Sequence, residues 1–155
     1  MDERYLPPSS FLQAVINEEV SFGDAEFGEG NLSRLMAMTR DADVANRDWA
    51  TLLLSQLELD RPEVREALSL AASDEVLAVR SEAILGLAML DAAQALPFLQ
   101  TELKGECINL PLLEAATIVG HGSLLPDLRA FAEPSDDLWL DEAVHKAIAA
   151  CTHSN

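Results

Sequence analysis

Aromatic residues are scarce in this chain, at 5% of positions. Its two cysteines, Cys107 and Cys151, belong to no CxxC pair. That spacing gives no zinc ribbon and no disulfide framework, and it points to free thiols in a reducing compartment. Bases are few as well: 10 against 27 acids, for a formal charge of −17. Such a balance opposes binding to nucleic acid, whose phosphates need Lys and Arg. It opposes anionic membranes for the same reason. It favours solubility and fast association with a basic protein. No run approaches the ~18 apolar residues of a membrane-spanning helix. Met1-Asp2-Glu3-Arg4 is acidic, and Pro7-Pro8 breaks the short apolar run behind it, so no secretory leader is expected. The expected location is the cytoplasm, with no nucleic-acid or membrane partner.

What is present is Ala and Leu. Hydrophobic residues make up 49% of the 155 positions, enough for a substantial core in one domain of ordinary size. Ala- and Leu-rich composition with helical spacing predicts an all-α protein. The clearest pattern lies in residues 74–91. Asp74, Arg80, Ala83 and Leu87 each stand 33 residues after a matching residue, namely Asp41, Arg47, Ala50 and Leu54. A shared offset of this size marks stacked helix pairs.

Read in order, residues 1–30 form a cap and an acidic loop. Ser9 or Ser10 N-caps a helix that places Phe11, Leu12, Val15 and Ile16 on one face. Gly23, Asp24, Glu26, Gly28, Glu29 and Gly30 then read as loop, with Phe22 and Phe27 placed to pin it. Repeat one pairs a helix over 31–40 with a second that starts at Asp41-Ala42-Asp43 and runs to Glu58. Repeat two opens at Arg61-Pro62, and residues 74–91 supply its second helix. Repeat three pairs a helix over 95–103 with one over 110–120. Repeat four pairs 124–132 with 138–151. Residues 152–155 read as a frayed tail. The expected architecture is an α–α superhelix of about four helix pairs over 31–151. Small Ala50, Ala83, Ala115 and Ala143 would allow close helix contacts within it.

The run Asp74-Glu75-Val76…Val79-Arg80-Ser81-Glu82-Ala83, with Asp41-Ala42-Asp43-Val44…Arg47-Asp48-Trp49-Ala50, resembles the short bacterial HEAT-like repeat, also called the phycobilisome-lyase type. The resemblance covers residues 31–151 and implies a HEAT-like α-solenoid. It also implies an Asp–Arg ladder between repeats. Repeats three and four carry Leu112 and Leu140 at the arginine position, so the ladder is expected between repeats one and two only.

Chemistry is hard to find. Deoxyhypusine hydroxylase, a HEAT-like enzyme, holds iron with His-Glu pairs on its second helices. Here the residues before the repeat alanines are Trp49, Glu82, Glu114 and Glu142, and the chain contains no His-Glu pair. Carboxylates without imidazoles do not make that site. His121, His145 and His153 form no constellation, and Cys151-x-His153 supplies two of the four ligands a zinc site needs. There is no phosphate-binding loop, and no nucleophile stands beside a base in a known motif. No catalytic residue, cofactor or metal is expected, and the chain reads as a non-enzyme.

What remains is a surface. In α-solenoids the second helices line the concave side, where partners bind. Register puts Asp48, Ser81, Leu113 and Asp141 in one row, and Trp49, Glu82, Glu114 and Glu142 in the next. Leu52, Leu85, Thr117 and His145 form a third. The expected partner-binding set is Asp48, Trp49, Leu52, Glu82, Leu85, Glu114, Asp141, Glu142 and His145, an acidic groove for a basic protein. Trp49 can equally pack on the N-terminal cap, and Trp139 can pack internally or flank the groove. Short HEAT-like proteins of this size resemble those in bacterial toxin–immunity pairs, which implies an immunity protein that blocks a basic toxin. The alternatives are a phycobilin-lyase-like enzyme or subunit and a regulatory scaffold or adaptor.

Overall fold

The computed structural model describes residues 5–23 and 26–153. Expectations for Asp24 and for the last two tail positions fall outside these residues. The described chain is all helical, with nine α-helices and no strand. They are α1 (Ser10–Ile16), α2 (Gly28–Met38), α3 (Val44–Gln56), α4 (Pro62–Ala71), α5 (Leu77–Leu90), α6 (Ala92–Glu102), α7 (Leu110–Val119), α8 (Leu125–Arg129) and α9 (Leu138–Thr152). None of them is long and apolar enough to cross a membrane. Contacts divide the chain into two compact units, Met1–Ala83 and Ile84–Asn155, with the boundary inside α5.

In the first unit α3 packs against α1, α2 and α4. Ser9 caps α1 as expected, its hydroxyl accepting from the Leu12 N–H at 3.3 Å. Phe11, Leu12, Leu32, Leu35, Leu54, Val64 and Leu68 form the core. The residues of α2 start earlier than their periodicity suggests. Gly28, Glu29 and Gly30, expected in the acidic loop, form its first turn. Glu29 there complements the helix dipole. Gly28 lies directly against the backbone of Phe22 and Gly23, so a Cβ at this position would collide with main chain. Phe27 does not pin the loop. It sits in the left-handed region at φ 64° and is 76% exposed.

The acidic starts of the two best repeats act as designed brackets. Asp43 caps α3 by accepting from the Asn46 N–H at 3.0 Å. Arg47 donates to the Asp41 and Ala42 carbonyls at 3.1 and 3.3 Å. Arg80 repeats this with the Asp74 and Glu75 carbonyls at 3.0 and 3.2 Å. Arg47 also pairs with Asp74 at 2.9 Å, and both side chains are only 11% exposed. The Asp–Arg contact expected between repeats one and two is therefore present.

In the second unit α7 packs against α6 and α9, and α8 packs against α9. Leu99, Leu103, Leu112, Leu113, Leu124, Leu128, Val144 and Ala147 are buried. Helix α6 starts at Ala92 rather than Ala95, because Asp91 caps it through the Ala93 and Gln94 N–H groups. A side-chain cap sets the start more strongly than the apolar spacing does. The helix expected over 124–132 is instead a 3-10 turn, Gly122–Leu124, followed by the short α8. His121 accepts from the Ser123 N–H and so caps that turn. Cys107 is exposed and Cys151 buried, and both are free thiols.

Candidate partner-binding surface

Two elements of the second unit build the candidate site. Helix α7 is capped by Asn109, whose side chain accepts from the Leu112 N–H at 3.2 Å. It ends at Gly120, left-handed at φ 58°. Helix α9 is capped by Asp137, which accepts from the Leu140 N–H at 3.0 Å. One face of each helix is committed to the core, through Leu112, Ala115 and Ala116 on α7 and Val144, Ala147 and Cys151 on α9. A second apolar face is left open. Leu110 is 44% exposed, Ile118 48% and Trp139 78%.

Between these faces runs a groove of ≈ 520 Å³, lined by Leu110, Leu113, Glu114, Thr117, Ile118, Trp139, Glu142, Ala143 and Lys146. The lining recurs at helical spacing: Leu110, Glu114 and Ile118 on α7, then Trp139, Glu142, Ala143 and Lys146 on α9. Buried Leu113 and half-buried Ala143 make the floor. Glu114 and Glu142 stand exposed on it. Glu142 meets Lys146 one turn along at 3.5 Å, with both side chains more than half exposed. An exposed i,i+4 pair of this kind contributes about 0.3–0.5 kcal/mol, so a partner can displace it.

The expected site residues divide between the units. In the first, Trp49 is engaged within the chain. Its indole N–H donates to the Tyr5 carbonyl at 3.0 Å, and the two rings stack with centroids 6.4 Å apart. Burial pushes the Asp48 carboxyl above the usual range. Burial likewise raises the Tyr5 phenol, with the Asp48 charge adding to it. Ser9 N–H donates to Asn46 Oδ1 at 3.0 Å, which fastens the start of α1 to α3. Of the two readings for Trp49, packing against the N-terminal segment is the one observed. Leu52 and Glu82 are half-buried, and the Glu82 carbonyl accepts from the Ser55 hydroxyl at 3.0 Å.

In the second unit Leu85 is half-buried and His145 exposed. Asp141 is engaged in the turn before α9. It accepts from the Ser135 N–H at 2.9 Å and the Ser135 hydroxyl at 2.7 Å, which holds its carboxyl below the usual range. Ser81 and Leu113, placed in the same surface row as Asp141, are fully buried. A one-residue error in helical phase turns a side chain by about 100°, enough to carry it from surface to core. Only Glu114 and Glu142 are brought together in the groove. The sequence reading missed Leu110 and Ile118 and left Trp139 open. The signal was the apolar count on α7, which exceeds what one buried face can absorb. Among the described residues no three His, Cys, Asp or Glu side chains converge as metal ligands.

No family model matches the chain. It is 26% identical over 129 residues to Protein YibA of Escherichia coli strain K12, and equally to Protein YibA of Escherichia coli O157:H7. The match takes in 83% of this chain but 42% of YibA, so the chain spans less than half of the curated relatives it matches. An X-ray structure of Escherichia coli YibA superposes with a TM-score of 0.65 at 24% identity, over 92% of this chain and 55% of that one. The likeness is one of fold: the chain is similar to a part of YibA.

Proposed function

We propose that the chain is a non-catalytic protein-interaction module of the cytoplasm, a HEAT-like α-solenoid whose second helices bind a basic protein. The observation that carries this is the α7–α9 groove. Trp139, 78% exposed, stands there with Leu110 and Ile118, and Glu114 and Glu142 stand among them. A large aromatic in an apolar groove is the residue type that dominates binding energy at interfaces. The acids, in a chain of charge −17, select a basic partner and disfavour nucleic acid. The Arg47–Asp74 pair supports the solenoid reading, because it is the inter-repeat contact that the HEAT resemblance implies. By analogy with short HEAT-like proteins of bacterial toxin–immunity pairs, the specific form proposed for this role is neutralisation of a basic toxin.

The test is affinity capture from the source cell with the wild type, Trp139→Ala and the double variant Glu114→Lys/Glu142→Lys. The expected result is one basic protein held by the wild type and lost from both variants. Equal capture by all three proteins sinks the reading.

A further inference from the structure

We infer that the α7–α9 groove takes one amphipathic helix, apolar on the face it inserts and carrying Lys or Arg along its flanks. This names the partner chemistry for the interaction role proposed above and rests on that reading. Three observations narrow the occupant.

The first is the mode of docking. Peptides dock by adding a strand to a sheet edge, by lying in an aromatic-lined groove as polyproline, or by laying an apolar helix face into a groove. The described residues contain no strand, so no sheet edge is on offer. The groove holds one aromatic, Trp139, where a polyproline ligand needs a lined track. A groove between two helices, with apolar side chains at one-turn intervals on each wall, matches the ridge of a third helix. Leu110 and Ile118 stand two turns apart on one wall, and Trp139 stands on the other.

The second is length. Helix α7 has 10 residues. At 1.5 Å per residue it offers about 15 Å of wall. That suits an occupant with three turns in contact, or about 10–14 residues with apolar side chains at i, i+3, i+4 and i+7.

The third is charge. Residues 133–142 lead into α9 past Trp139 and hold acids with no Lys or Arg. Glu114 adds a carboxylate on the α7 side, and Lys146 is the one base of the lining, already beside Glu142. A helix with acidic flanks would meet like charge at both edges, whereas a basic one meets opposite charge and displaces Lys146. The first unit also carries a tryptophan on a second helix, Trp49. There Tyr5 of the chain itself stacks on Trp49, while Trp139 carries no such cover among the described residues.

The experiment is fluorescence anisotropy on the full chain with three labelled 14-residue peptides. One carries Leu at i, i+3, i+4 and i+7 with Lys elsewhere. The second replaces Lys by Glu. The third scrambles the Leu/Lys composition so that no apolar face forms. The expected result is saturable binding of the first peptide at one per chain. The scrambled peptide should bind at least tenfold more weakly, and the Glu peptide should not bind. Trp139→Ala should weaken the first peptide at least tenfold with helix content unchanged by circular dichroism, and Ile118→Ser should act in the same direction. Equal binding of the scrambled peptide overturns the inference by reducing it to bulk charge. So does sedimentation showing a wild-type dimer that Trp139→Ala converts to monomer, which would make a second copy the occupant. A natural partner captured through Trp139 while all three peptides fail overturns the helix assignment alone. A natural partner held equally by Trp139→Ala overturns the interaction reading beneath it.

Discussion

Arg47 uses its planar fork in two directions at once. One edge holds Asp74 at 2.9 Å, and Nη1 holds the carbonyls of Asp41 and Ala42. With both charges 11% exposed, removal of one partner strands the other where water cannot repay it. Arg47→Ala is expected to cost about 3 kcal/mol, read as a shift of the urea midpoint. Arg47→Lys should restore only part of that, because a point charge cannot span the carboxylate and the loop carbonyls together. Asp48 behaves in the opposite sense. Burial raises its carboxyl above the ordinary value of about 3.9, so the folded state holds that proton more tightly than the unfolded chain does. Its contribution is full below the unfolded pKa and is lost as pH rises through the folded one. Asp48→Asn removes the half-buried charge at nearly constant shape. It should therefore be more stable than the wild type at neutral pH, with the gap closing below about pH 4 in pH-resolved urea titrations.

Among the elements, α5 shows what a repeat sequence specifies. Val79, Ala83 and Leu87 are all fully buried, on the face that the matching residues Ala50 and Leu54 present in α3. Ala50 and Ala83 lack bulk where the packing is tight, so side chains enlarged there have nowhere to go. Ala83→Leu should destabilise by about 1–3 kcal/mol, measured by thermal or urea unfolding, with no new specificity. The fourth repeat alanine differs. Ala143 is half-buried and floors the α7–α9 groove. An alanine at a packing position becomes part of a surface when no further helix covers it.

At the scale of the whole molecule, stability and binding are separable. Trp139 is 78% exposed and belongs to the groove, so Trp139→Ala should leave the unfolding free energy within about 0.5 kcal/mol of the wild type while abolishing partner capture. A large loss of stability in that variant would place Trp139 in the fold rather than in the site. The all-helical class and the contacts of α2 with α3, α6 with α7 and α8 with α9 were legible in the residues, and the Arg47–Asp74 contact in the HEAT-like resemblance. Periodicity, caps and a 33-residue offset are local or one-dimensional signals, and every turn of helix repeats them. Glu114 and Glu142 were legible as a pair for the same reason, because both stand one residue before a repeat alanine. Other choices belonged to tertiary structure. Whether Trp49 faces a partner or Tyr5 depends on where a segment 44 residues away is laid down. Whether Ser81 and Leu113 lie inside or out depends on helix phase, which spacing fixes only to within one residue. That Leu110, Ile118 and Trp139 converge depends on α7 packing beside α9, which nothing local to either helix encodes. The sequence by itself determined which faces are apolar; the packing of the helices decided which of those faces is left uncovered, because burial is a property of neighbours and not of the residue that is buried.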